Sequence, residues 1–190
     1  MQDNFSEAVA TYEQALAINK QLVERDPKST VYQNDLSASY EKLGDVAFRQ
    51  SHTAEALVSY QLCLKLRQAL VEWDNSDTGF RDGLSAIHEK VADVLKAQGK
   101  LDAAVEEYQQ SLDQRRTLAD QDKFNAGGRH DLIVLLCKLA SAKSLTEGSD
   151  NVLKAKALLQ EAINLAAEYN GADRQTLIDS IKQSSQGLGQ

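Results

Sequence analysis

Residues 36–46 read LSASYEKLGDV, and 48 residues further on, residues 84–94 read LSAIHEKVADV. The match extends outward on both sides. Sliding residues 32–74 onto 80–122 gives 15 identities in 43 positions, where about three are expected by chance at ordinary residue frequencies. The remaining changes are mild, such as Tyr32 to Phe80 and Leu57 to Val105. Duplication is the economical explanation. The same offset runs backward, since Ala8, Tyr12, Leu16, Leu22 and Asp26 precede Ala56, Tyr60, Leu64, Leu70 and Asp74 by 48. It runs forward from Leu84, Lys90 and Ala92 to Leu132, Lys138 and Ala140, until three extra residues near EGSDN (147–151) change the offset to 51. A period of this length signals an array of stacked supersecondary units.

Each unit divides into two amphipathic helices. Leu36, Tyr40, Leu43 and Ala47 recur at helical spacing on one face, with Glu41, Lys42, Asp45 and Arg49 opposite. Ala56, Leu57, Tyr60, Leu64 and Leu70 or Val71 form the stripe of the second helix, after a short turn at SHT (51–53); QGKL (98–101) is the same turn one unit later. Asp-containing loops at 26–30, 74–78 and 122–126 stop each second helix, and Thr30 with Gln33 suggests a capping box for the next. The layout predicted is one domain over 1–190. It has the second helix of an incomplete repeat at 3–25, repeats at 31–73 and 79–121, a divergent repeat at 127–170 and a polar-faced capping helix at 173–186. A lone hairpin cannot bury both stripes, so the units must stack.

Composition agrees with an all-α chain and narrows its partners. Pro27 is the only proline, 42% of residues are hydrophobic, and the formal net charge is −7. An acidic chain without a dense basic cluster is repelled by phosphate backbones and anionic lipid headgroups, which argues against nucleic acid and membrane as partners. No apolar run approaches the roughly 20 residues of a membrane span, and MQDNFSEA lacks the basic start and apolar core of a signal peptide. Cys63 and Cys137, with no CxxC or Cys/His grouping, suit a reducing compartment, so a cytoplasmic location is expected.

The second helix of each unit places a small residue, an aromatic four later and another small residue three after that: Ala8-Tyr12-Ala15, Ala56-Tyr60-Cys63, Ala104-Tyr108-Ser111, and more weakly Ala155-Leu159-Ala162. This resembles the tetratricopeptide repeat, as do Tyr40, Leu43 and Gly44 and then His88, Val91, Ala92 and Gly99 in and after the first helices. The period exceeds the usual 34 residues and is similar to the longer repeats of kinesin light chains and bacterial multidomain signalling proteins. The resemblance covers residues 3–170. It implies tandem hairpins stacked as a right-handed superhelical solenoid, and a protein or peptide partner bound in the concave groove of a larger signalling or scaffold protein.

Catalytic, metal and cofactor sites are not expected. His52, His88 and His130 are scattered, and His88 takes a position where the family packs a large side chain. Gly127-Gly128 precedes a helix without the strand or the Lys-Ser/Thr of a phosphate loop, so it is read as a plain loop. Cys63 stands at a packing position; Cys137 aligns with Glu41 and Glu89, and Trp73 with polar Arg25 and Gln121. The sharpest constellation is on the first helices, where Lys42, Lys90 and Lys138 recur at 48-residue spacing. Beside them Glu41 with Asp45 and Glu89 with Asp93 are like-charge i,i+4 pairs, each unfavourable by roughly 0.2–0.5 kcal/mol in an isolated helix. Two readings explain the repeated penalty. Either Asp45 with Arg49, and Asp93 with Lys90 and Lys96, neutralise one another on a solvated face, or Glu41, Lys42, Asp45, Arg49, Glu89, Lys90, Asp93 and Lys138 form a peptide site. The family's carboxylate clamp for chaperone tails requires Lys and Asn where this chain has the acidic pairs, which points instead to a peptide of mixed or basic charge.

By repeat phase, the helix that should cover Ala8, Tyr12 and Ala15 falls before Met1. The stripe Phe5, Val9, Tyr12 and Leu16 is then left open to water, to a preceding segment of a longer chain, or to a second copy meeting it as a homodimer. Self-association, and regulation of an enzyme lying outside this chain, are the alternatives to a peptide-binding role.

Overall fold

The computed structural model describes residues 2–122 and 125–188, with side chains from Glu7 onward. The described residues form eight α-helices and no strand: α1 (Gln2–Arg25), α2 (Thr30–Arg49), α3 (Thr53–Trp73), α4 (Thr78–Ala97), α5 (Leu101–Gln121), α6 (Ala126–Leu145), α7 (Ser149–Glu168) and α8 (Arg174–Gly187). The chain divides into two compact units, Met1–Gln98 and Gly99–Gln190, each of four helices. In the first, α1 packs on α2, α2 on α3 and α3 on α4; in the second, α5 packs on α6, α6 on α7 and α7 on α8.

The 48-residue period is written into the helix ends. Ser29, Asp77 and Asn125 stand one period apart, and each caps a first helix by accepting a hydrogen bond three residues on. The donors are the amides of Tyr32 at 3.3 Å, Phe80 at 2.9 Å and Gly128 at 2.9 Å. Three different residue types perform one task, because an oxygen on a short side chain is all the exposed amides of a helix start require. The expected Thr30/Gln33 capping box is displaced: the cap is Ser29, and Gln33 Nε2 donates to the Pro27 carbonyl at 2.6 Å. Asn125 also draws Gly127 and Gly128 into the first turn of α6, so these glycines are helical and not a loop.

The turn inside each hairpin repeats as well. Ser51 and Gly99, one period apart, have φ of 65° and 73°, and Gly148 has a positive φ of 112° in the third turn. Burial follows the stripes only in part, since Tyr40, Leu43, Leu57 and Leu64 are half-buried and Val46, outside them, is buried. Leu36, Val46, Ala47, Ala56, Tyr60 and Leu70 are buried in the first unit, and Leu112, Leu136, Leu139, Leu159 and Ala166 in the second. The last helix, α8, buries Ile178 and Ile181 and is otherwise largely polar and exposed. Among the described residues no helix is long and apolar enough to cross a membrane.

Candidate functional site

The charged positions singled out on α2 and α4 converge, but on each other. Lys90 Nζ of α4 bridges both carboxylates of α2, lying 3.1 Å from Glu41 Oε1 and in direct contact with Asp45 Oδ1. Arg67 of α3 completes the cluster: its guanidinium donates to Glu41 Oε2 at 2.5 Å and to the Gly83 carbonyl at 2.7 Å. The Tyr60 hydroxyl, also from α3, donates to Asp45 Oδ1 at 2.8 Å, and the Lys90 ammonium lies 5.8 Å from the centre of its ring. Two carboxylates thus face two cations, so the like-charge penalty along α2 is removed by residues of two other helices. The expected partners within one helix, Arg49 for Asp45 and Asp93 for Lys90, are not the ones used.

Burial sharpens this cluster. The Glu41, Asp45 and Arg67 side chains are 16%, 22% and 12% exposed, which corrects the reading of this face as solvated. Burial works against the charge of Lys90, but the hydrogen bonds and negative charge of Asp45 and Glu41 outweigh it and hold its pKa above the ordinary lysine value. Tyr60 is driven far upward by burial first, then by its bond to Asp45 and the nearby negative charges. The arrangement locks three helices together.

The remaining predicted positions are distributed differently. Lys42 and Arg49 are exposed on α2. Glu89 and Asp93 on α4 and Lys138 on α6 are half-buried and carry polar interactions of their own, so none is a free charge. A uniform row of available lysines is therefore not what the chain presents: Lys90 is spent inside the first unit. On α1, Val9, Tyr12 and Leu16 are half-buried, whereas the Phe5 side chain lies outside the described residues. Trp73 is 70% exposed and His88 is buried. Burial raises both thiols, Cys63 and Cys137, to about 11, which makes them poor nucleophiles.

Arg67 was not among the predicted site residues, although its identity with Arg115 is visible in the repeat. The two arginines share a task. Arg67 reaches the carbonyl of Gly83 on α4, and Arg115 Nη1 reaches Asp131 Oδ2 on α6 at 3.2 Å, where 83 and 131 are one period apart. Asn19, one period before Arg67, reaches the carbonyl of Asp35, one period before Gly83, at 3.2 Å. In the second unit Arg116 forms a two-pronged pair with Glu161 across α5 and α7. A shallow cleft beside it, about 320 Å³, is lined by Lys143, Lys154 and Leu158 as well as Glu161. Among the described residues no group of His, Cys, Asp or Glu is clustered to hold a metal ion.

No family model matches the chain, and no curated protein matches it. Solved structures do match. Yeast histone chaperone Hif1, described as a scaffold protein recruiting protein complexes to core histones, aligns over 98% of this chain and 98% of its own at 9% identity, with a TM-score of 0.60. BtubC (BKLC) from P. vanneervenii aligns over 97% of this chain and 73% of its own at 15% identity, with a TM-score of 0.49. The similarity to Hif1 is one of fold: this chain is an all-helical repeat protein whose architecture fits the tetratricopeptide type.

Proposed function

We propose that this chain is a tetratricopeptide-type module that binds other proteins and performs no chemistry of its own. One contrast carries the reading. The small-aromatic-small triplet is sealed at Ala56-Tyr60-Cys63, Ala104-Tyr108-Ser111 and Ala155-Leu159-Ala162, with no member more than 2% exposed. At Ala8-Tyr12-Ala15 all three residues are only half-buried. A surface of the kind that holds helices elsewhere in the repeat is thus partly exposed on α1 among the described residues. Hif1, a scaffold by its description, supports an assembly role on this kind of fold by analogy. Free Cys63 and Cys137 fit a reducing compartment.

A peptide lying along the first-helix face is the second reading, favoured by the exposure of Lys42 and Arg49. Glu41, Asp45 and Lys90 supply it a rigid backing in place of free charge. Capture of partners with the wild-type chain, followed by titration of the purified partner against Tyr12→Glu and Arg49→Glu, separates the two. Loss with Tyr12→Glu alone supports the α1 face. Loss with Arg49→Glu alone moves the site to the first-helix face, and indifference to both removes both readings.

A further inference from the structure

Near the end of α6 the chain departs from its own repeat. The equivalent positions on α2 and α4 are Ala47 and Leu95, both buried; one period further on stands Lys143. A base is favourable in the last turn of a helix, but it is not required at this position. In α4 that base is Lys96, beside the buried Leu95, whereas in α6 it sits at 143 and Ser144 follows it. Lys143 is half-buried and, among the described residues, forms no ion pair. It lines the cleft of about 320 Å³ in the second unit, together with Gln109 of α5 and Lys154, Ala157, Leu158 and Glu161 of α7. The other charges there are committed. Arg116 holds both oxygens of Glu161, at 2.8 and 2.6 Å, and Asp150 holds Lys154 at 2.6 Å, so neither carboxylate is left to serve Lys143. Gln109 donates its amide nitrogen to Asp113 at 3.0 Å and keeps its carbonyl oxygen to accept.

We propose that this cleft is a subsite for an acidic peptide, taking a Glu side chain flanked by aliphatic residues. The peptide carboxylate sits on Lys143, a peptide N–H donates to the Gln109 oxygen, and an aliphatic neighbour lies on Ala157 and Leu158. This rests on the interaction-module reading above and gives it a partner chemistry, at a place set by the interior of the second unit. A cation partly withdrawn from water without a counter-charge favours an incoming anion. The shape favours a peptide over a small molecule. The cleft is shallow and at the low end of ligand sites, roughly 300–1,000 Å³, so it accommodates a side chain but does not enclose a free ligand. The apolar strip also runs on past it, since Leu153, 66% exposed, lies one helical turn before Ala157. A chain continuing along α7 gains that contact and a lone carboxylate does not.

The probes are the blocked tripeptide acetyl-Leu-Glu-Leu-amide and its Gln counterpart, titrated into the full chain and read by the methyl NMR signals of Ala157 and Leu158. The Glu peptide should shift both signals saturably at millimolar concentration and bind about fivefold more tightly than the Gln peptide, a preference that shrinks as salt is raised. Lys143→Met should make the two peptides equal, and Lys143→Arg should keep the preference. The urea midpoint of Lys143→Met should match or exceed that of wild type, because Ala47 and Leu95 show the position to be apolar elsewhere, so its loss of preference is not a loss of fold. Absence of a saturable shift, equal binding of the two peptides, or a preference that survives Lys143→Met overturns the proposal. Acetate binding as tightly as the Glu peptide overturns it by making the cleft a site for small anions. A fall in the Lys143→Met midpoint with no peptide binding overturns it by making an acid of the same chain the occupant. If the peptides fail while a purified partner still depends on Tyr12 or Arg49, the acidic-peptide subsite falls and the interaction-module reading stands.

Discussion

Tyr60 and Gly44 share one space: a Cβ at position 44 would overlap Cε1 and Cδ1 of the Tyr60 ring. The ring is 2% exposed and its hydroxyl is tied to Asp45, so it has nowhere to swing. Gly44→Ala should therefore destabilise the chain by about 1–3 kcal/mol, even though alanine is the better helix former by about 1 kcal/mol. Gly187→Ala, where an added Cβ meets nothing within 4 Å, is the control and should be neutral or slightly stabilising. Urea midpoints of the two variants decide it; equal midpoints would mean that the ring yields freely.

The ion cluster predicts an unequal response to two lysines of one repeat position. Lys90→Met leaves Glu41 and Asp45 facing Arg67 alone in a partly buried site, and should cost about 1–3 kcal/mol. Lys42→Met removes an exposed charge and should cost less than about 0.5 kcal/mol. Adding Asp45→Asn to Lys90→Met should restore part of the loss, with a coupling of about 1 kcal/mol in the double-mutant cycle. An additive cycle would show that the bridge contributes nothing.

The hairpins were legible in the sequence because duplication preserves spacing, and spacing is what a helix face reads. The caps were not, because Ser29, Asp77 and Asn125 share an oxygen and no identity, so a comparison by identity passes over them. The acidic pair Glu41 and Asp45 stood out as costly, yet helical periodicity says only which residues share a face. It does not say that a third helix covers that face, nor that Arg67 and Lys90, 26 and 45 residues away from their partners, arrive there. Arg67 had a visible sign, its recurrence as Arg115. A pair of like charges repeated at a fixed period is therefore a reason to search other helices of the same period for the opposite charge.

The left-handed turn predicts opposite effects at two equivalent positions. Ser51 holds φ of 65° where Gly99 holds 73°, and a side chain in that region costs roughly 1–2 kcal/mol. Ser51→Gly should raise stability by a net of up to about 1 kcal/mol once the added freedom of the unfolded chain is counted, and Gly99→Ser should lower it by about 1 kcal/mol. Thermal melting of both variants tests this. A Ser51→Gly variant that melts earlier than wild type would show that the serine side chain does more at the turn than tolerate it.

The final prediction is an alkaline loss of stability centred on Tyr60. Its pKa is raised above the ordinary 10.0, by burial foremost and then by Asp45, and that of Lys90 is raised above 10.5 because Asp45 and Glu41 outweigh its burial. A raised folded-state pKa means that the folded chain keeps a proton the unfolded chain releases. The associated stability is fully present below the unfolded pKa and is lost as pH rises beyond it, at up to about 1.4 kcal/mol per pH unit for each such proton. The window therefore opens near pH 10 and extends upward. Tyr60→Phe removes one of these protons. It should be less stable than wild type at pH 8 by about 1 kcal/mol, through loss of the bond to Asp45, and should decline more slowly above pH 10. The two curves of urea midpoint against pH should consequently converge between pH 8 and pH 11. Parallel curves over that range would show that the Tyr60 phenol ionises as easily in the folded chain as in the unfolded one, and that its hydroxyl is not held against Asp45.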